Sequence, residues 1–307
     1  MDILDLVGNT PLLRLDKIAA GVPGLTLLAK AEFCNPSGSV KDRAARAMLQ
    51  DGLASGKLAK GRTIIDATSG NTGIAYAMMG AALGYAVTLY IPANAGKERK
   101  AAIRAYGGTI VETDPLEGSD GAYLAARAEM ESRPDLYFYP DQYNNPANPR
   151  AHYEGTGAEI WEQSAHGLTH FIAGMGTSGT FTGVSRRLKD YGRGIHTLAV
   201  QPDSPMHGIE GTKHMASTIK PGIYDENLAD GVVRVGTEAA WAMTHRLGRE
   251  EGLLVGVSSG ANVQAALSLA ESLPKGAVIA TILCDTGERY LSEPFWDAPI
   301  PADPRRR

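Results

Sequence analysis

The sequence predicts an α/β fold of two lobes, each a mostly parallel twisted sheet covered by helices. Two observations predict it. Apolar, β-rich runs alternate with helix-period segments over most of the 307 residues, and such alternation places helices on both faces of parallel strands. In addition, three turns rich in Gly, Ser and Thr each follow a candidate strand and precede a helix, at 68–73 (TSGNTG), 174–180 (GMGTSGT) and 256–262 (GVSSGAN). In open α/β sheets ligands sit at the carboxyl ends of strands, so three such turns suggest one shared crevice.

In chain order, the strand candidates are TLLAKAE (26–32), TIIDA (63–67), AVTLYIP (86–92), GTIVET (108–113), LYFYPD (136–141), THFIAG (169–174), HTLAVQP (196–202) and AVIATIL (277–283). Helix-period segments lie at 41–53, 97–107, 120–132, 155–164 and 237–252. Residues 74–91 carry no charge, but Gly80, Gly84 and Pro92 break them into a buried helix, a turn and a buried strand, not a membrane span. The Asn- and Pro-rich stretch 141–155 interrupts the alternation and reads as a crossing between lobes. The stretch 202–215 has no clear period, as expected of a lid or binding loop.

Composition narrows the function. With 43% hydrophobic and 21% charged residues the chain is an ordinary globular one. A net charge of −4 supplies no field to gather nucleic acid or anionic lipid, and Arg305, Arg306 and Arg307 read as a solvated tail. Two cysteines, Cys34 and Cys284, exclude a disulfide framework, fit a reducing cytoplasm, and are expected as small apolar core residues. The N-terminus lacks the basic and apolar segments of a secretory signal. No metal is expected.

Gly174, Gly176 and Gly179 have the G-x-G-x-x-G spacing of a dinucleotide turn, which would make the chain a NAD-dependent dehydrogenase. The rest of that fingerprint is missing, because the next strand ends at Pro202 and its acid, Asp203, comes late. What remains is a phosphate-sized nest with Thr177, Ser178 and Thr180 at a helix N-terminus. The other informative stretch is NPSGSVKDRAA at 35–45. Lys41 sits in the first turn of a helix, where the dipole gives a cation nothing. A desolvated amine there is a usable nucleophile of the kind a Schiff base needs.

PSGSVKDR, TSGNTG, GMGTSGT and VSSGA, in that order, resemble the fold-type II pyridoxal-phosphate enzymes. Among these the chain is similar to the O-acetylserine sulfhydrylases (cysteine synthases), and the stretches 142–161 and 169–186 with Cys284-Asp285 before GERYLS look like the B-type. The resemblance implies a PLP-dependent transferase, with pyridoxal 5'-phosphate as cofactor. Lys41 would form the Schiff base and act at the substrate α-carbon. Asn71 would meet the ring oxygen, Gly176, Thr177, Ser178, Gly179 and Thr180 the phosphate, and Ser258 the ring nitrogen. Thr68, Ser69, Gly70, Asn71 and Thr72, with Gln142, would hold the substrate carboxylate.

The implied reaction is β-replacement on O-acetyl-L-serine through an aminoacrylate, with sulfide or thiosulfate as sulfur donor and L-cysteine as product. O-phosphoserine sulfhydrylase and cystathionine β-synthase chemistry are the alternatives. Lys213 and His214 either face the substrate's β-substituent or are solvated loop residues. The resemblance also implies a homodimer and a smaller, mobile lobe of residues 40–145, with 1–39 and 146–307 forming the larger.

Overall fold

The structure is a computed structural model that describes residues 1–68, 70–192 and 194–297. Its elements in chain order are β1 (Leu12–Arg14), α1 (Asp16–Ala19), β2 (Thr26–Ala31), α2 (Lys41–Ala54), β3 (Thr63–Ala67), α3 (Asn71–Leu83), β4 (Val87–Pro92), α4 (Lys97–Ala105), β5 (Thr109–Thr113) and α5 (Gly118–Ser132). There follow β6 (Tyr137–Phe138), α6 (Ala147–Ala151), α7 (Ala158–Gln163), β7 (His170–Gly174), α8 (Gly179–Asp190), β8 (His196–Pro202), β9 (Gly231–Val235), α9 (Thr237–Arg246), α10 (Val257–Ala270) and β10 (Val278–Leu283).

Two sheets result. One has four parallel strands in the order β5-β4-β3-β6, and the other six in the order β1-β2-β10-β7-β8-β9, parallel except where β1 runs against β2. Side chains along β10 alternate between two cores, as the two-residue period of a strand dictates. Ile279 and Leu283 pack with Ile172, Val263 and Leu267, while Ala280 and Ile282 pack with Phe171, Phe181 and Val184. Both faces are therefore covered, which is why these strands read as unbroken apolar runs. The four-stranded sheet buries Ile64, Leu89 and Ile91 against Ile74, Tyr76 and Met48.

Three features differ from the sequence reading. The edge strands β1 and β9 were not expected; β9 is solvated on alternate residues, with Val232 at 46% exposure, and edges carry weaker apolar signals. LYFYPD contributes only two strand residues, because Pro140 cannot donate to a ladder and Asp141 turns the chain with φ +51. The stretch read as a crossing is partly helical. Asn145 Oδ1 accepts the Ala147 N–H at 2.9 Å and so starts α6, and a π-helical segment, 152–157, continues into α7. Residues 203–224, by contrast, hold no helix or strand, as expected of a binding loop.

Candidate active site

PSGSVKDR folds into a turn that carries Lys41 to the first position of α2. Gly38 adopts φ +84, where a Cβ would meet the Arg289 guanidinium at 3.0 Å. Asp42 accepts bonds from both the Ser37 N–H, at 2.6 Å, and the Ser37 hydroxyl. Burial raises the Asp42 carboxyl to about 6, even though these bonds and Arg289 pull the other way. The turn is then fastened to the segment after β10. Val40 N donates to Cys284 O at 2.8 Å, Thr286 N donates to Gly38 O at 3.1 Å, and Ser39 and Asp285 form an isolated antiparallel bridge. Lys41 is half-buried, and among the described residues no hydrogen bond or ion pair engages its Nζ.

Two joined hollows meet at Lys41. The inner one is lined by Lys41, Asn71, the loop 176–180 and Ser258, with Asn262 and Cys284. The outer cleft is lined by Lys41, Thr68, Thr72 and Gln142, together with Tyr143 and Lys213. Of the residues singled out in the sequence, Lys41, Asn71, Gly176, Thr177, Ser178, Gly179, Thr180 and Ser258 converge on the inner cavity, and Thr68, Thr72 and Gln142 on the outer cleft. Ser69 lies outside the described residues, as does the Arg305–Arg307 tail.

The loop 176–180 is shaped by close backbone approaches. A Cβ on Gly176 would stand 2.4 Å from the backbone oxygen of Gly211, so that position accepts no side chain, and one on Gly179 would stand 1.9 Å from Asn148 Oδ1 and displace the Asn148 side chain. Ser178 takes φ +69 and heads α8, whose first residues, Gly179 and Thr180, line the cavity. Behind the loop, Asn148 Nδ2 bonds Thr177 Oγ1 at 3.1 Å and Gln142 O at 2.8 Å. Thr180 Oγ1 lies 3.3 Å from His152 Nε2, and burial keeps that imidazole neutral, its pKa well below the ordinary value. The cradle is thus uncharged side chain and backbone dipole.

Around 68–73 the hydroxyls are already committed. Thr68 Oγ1 accepts from Gly70 N at 3.0 Å and Gly73 N at 3.2 Å, and Thr72 Oγ1 donates to Gln142 Oε1 at 2.9 Å. Gln142 Nε2 in turn donates to Ala67 O at 2.8 Å. Gly70 holds φ +150 against the Arg99 side chain, 2.4 Å from where a Cβ would be. Gly70 shapes this turn but does not line either hollow.

Several participants were not legible in the sequence. Arg99 is buried, bonds Glu210 through Nη2 at 3.0 Å and lies 5.3 Å over the Tyr290 ring, joining α4 to the 203–224 loop. Asn262 fixes the start of the phosphate-sized loop, accepting from Gly174 N at 2.7 Å. The cysteine expectation is corrected. Cys34 is exposed, and Cys284 lines the inner cavity, where burial pushes its thiol up to about 11. Cys34 is thus no core residue, whereas Cys284 packs against the core of Phe171 and Ile282 and also opens on the cavity.

Lys213 is not a solvated loop residue either. It is buried, with Nζ 2.9 Å from Asp120 Oδ1 and 4.8 Å from the centre of the Tyr143 ring. Burial works against its charge, but Tyr143 and Asp120 outweigh it and hold the ammonium above its ordinary pKa. His214 is half-buried, pairs with Ser217 Oγ at 2.8 Å and does not line either hollow.

A family profile described as "Pyridoxal-phosphate dependent enzyme" matches residues 3–285. The chain is 50% identical to a cysteine synthase of Aquifex aeolicus over 295 residues, covering 94% of this chain and 90% of that one. It is 44% identical to cysteine synthase B of Pseudomonas aeruginosa, covering 96% and 97%. The crystal structure of a cysteine synthase from Entamoeba histolytica superimposes with TM-score 0.92 at 34% identity, over 98% of this chain and 92% of that one. A fold-type II scaffold, a half-buried lysine between a phosphate cradle and a second glycine turn, and this breadth of similarity lead to one conclusion: the chain belongs to the pyridoxal-phosphate-dependent enzyme family of the cysteine synthases.

Proposed function

We infer that this chain is a pyridoxal 5'-phosphate-dependent cysteine synthase, which replaces the β-substituent of O-acetyl-L-serine with sulfur to give L-cysteine. The observation that carries the reading is Lys41, an amine with no polar partner among the described residues, standing where the phosphate-suited cavity and the outer cleft meet.

The residues present fit the cofactor. The α8 N-terminus and the loop 176–180 would take the phosphate on backbone N–H groups, and the inner cavity between that loop, Asn71 and Ser258 would take the ring. When bound, the cofactor supplies the electron sink that lets an amino acid lose its α-proton and its β-substituent. Ser258 would offer the ring nitrogen a neutral hydroxyl, which does not enforce ring protonation and so favours elimination over transamination. Lys41 Nζ would hold the cofactor and would accept the substrate's α-proton.

The substrate carboxylate belongs at the 68–72 turn. Because Thr68 Oγ1 is held by Gly70 and Gly73, and Thr72 by Gln142, the turn is rigid before substrate arrives. Gln142, fixed by Ala67 O, adds its amide at the same carboxylate. The 40–145 lobe, which holds this turn, moves toward the rest of the chain to exclude water. The sulfur donor is sulfide or thiosulfate, and the chain works as a cytoplasmic homodimer. Among the described residues no helix is long and apolar enough to cross a membrane.

O-phosphoserine is the less suited substrate, because Lys213 and Arg99, which line the outer cleft together with Lys41, already answer Asp120 and Glu210. The test is the absorption spectrum of the purified protein with pyridoxal phosphate, followed by cysteine formation from O-acetylserine and sulfide. A visible band that shifts on adding O-acetylserine is expected. A protein that stays colourless after incubation with the cofactor contradicts the reading.

A further inference from the structure

We propose that Asp285 is a positioning residue that, together with Arg289, sets which face of the Asn71 amide meets the cofactor ring. The inference rests on the cofactor assignment above. Asp285 is fully buried in the segment after β10 and is bonded to three of the segments that line the inner cavity. Its backbone bridges Ser39, two residues before Lys41, and its carbonyl accepts the Gly256 N–H at 3.2 Å, two residues before Ser258. Its Oδ2 accepts from Asn71 Nδ2 at 2.6 Å and from the Tyr290 hydroxyl. Oδ1 is buried and without a partner among the described residues. A half-satisfied buried carboxylate is costly, so its retention points to a task that an apolar residue could not perform.

That task follows from the amide it holds. Asn71 Oδ1 accepts from Arg289 Nη1, and Asn71 Nδ2 gives one hydrogen to Asp285. Turning the amide over would set Nδ2 against the guanidinium and Oδ1 against the carboxylate, replacing two hydrogen bonds with two repulsions. The amide therefore has one orientation and one donor left to offer the cavity, the second Nδ2 hydrogen. A donor facing the ring oxygen favours its ionised form. An acceptor in its place would favour the protonated form. Asp285 and Arg289 thus select the ionisation state of an oxygen that neither of them touches.

The test is the absorption spectrum of the holoenzyme, in which the ionised-oxygen form absorbs at the violet edge and the protonated form in the near ultraviolet. In Asp285→Ala the ratio of near-ultraviolet to violet absorption is expected to rise about tenfold, the weight of one charge-assisted hydrogen bond. Asp285→Asn keeps one acceptor oxygen and should return the ratio to within about threefold of the parent. Tyr290→Phe removes a neighbouring bond to the same carboxylate and leaves Asn71 held, so it too should stay within about threefold. An unchanged ratio in Asp285→Ala, or an equal shift in Tyr290→Phe, overturns the proposal. If Asp285→Ala does not fold, Arg289→Met tests the other half of the lock: the same shift supports the proposal and an unchanged ratio overturns it. A parent protein with no visible band would instead overturn the cofactor assignment, so the two failures are distinguishable.

Discussion

Lys41 and Arg43 stand two residues apart in the first turn of α2, and their surroundings are opposites. Lys41 faces the two hollows with no polar partner among the described residues. Arg43 is buried and saturated. Its guanidinium bonds Glu32 at 2.7 and 2.8 Å and Glu159 at 2.6 and 2.7 Å, and Lys30 joins the same Glu159 at 2.7 Å. Glu32 and Lys30 lie at and beside the end of β2, so this network pins the helix to the six-stranded sheet. The difference teaches how a reactive amine can be held in place without being neutralised. The backbone next to it is anchored by ionic bonds it does not share, and its own nitrogen stays available.

The sharpest way to break the comparison is to remove the free amine. Lys41→Ala should lower cysteine formation by roughly 10³-fold or more, the scale of a lost acid–base group, with little change in urea unfolding. Turnover within tenfold of the parent would contradict the role given to Lys41. Removing the saturated cation should do the reverse. Arg43→Met leaves Glu32 buried and uncompensated and should cost about 3–5 kcal/mol of stability by urea titration.

The same network predicts a pH dependence. Burial alone would raise the Glu159 carboxyl, but Arg43 and Lys30 outweigh it and hold it at about 2, against an ordinary 4.5. A carboxyl depressed in the folded state stabilises the fold above its unfolded pKa. The contribution, on the order of 2 kcal/mol, should therefore be present above pH 4.5 and disappear as pH falls toward 2. Glu159→Gln should flatten that acid limb of the stability curve, and an unchanged limb would show that the charge of Glu159 does not support the anchor.

The smallest effect is expected at the paired lysine across the cleft. Lys213→Ala should alter the preference for O-acetylserine over O-phosphoserine by less than about threefold, since its charge is already matched by Asp120. A larger change would mean that Lys213 leaves Asp120 to meet the substrate.

How much of this could be read beforehand follows from the range of the interactions. PSGSVKDR, TSGNTG and GMGTSGT were legible because the turns and helix starts that shape them lie within a few residues, so the pattern is written contiguously. The central strands were legible because burial on both faces leaves uninterrupted apolar runs. The edge strands β1 and β9 were not, since solvent on one side dilutes the pattern. Nor were the pairs that cross the cleft. Arg99 with Glu210 and Lys213 with Asp120 are 111 and 93 residues apart, and nothing local to either partner announces the other. Cys284 was legible in part: it packs against the core as a small apolar residue should, but the end of β10 also opens on the inner cavity.

The central claim is that Lys41 is the amine that carries the cofactor, and covalent trapping tests it most directly. Borohydride reduction of the protein loaded with pyridoxal phosphate, followed by proteolysis and mass spectrometry, should place the cofactor-derived mass on the peptide containing Lys41. A label on Lys213 or any other lysine instead, or a peptide containing Lys41 recovered wholly unmodified, would contradict the account.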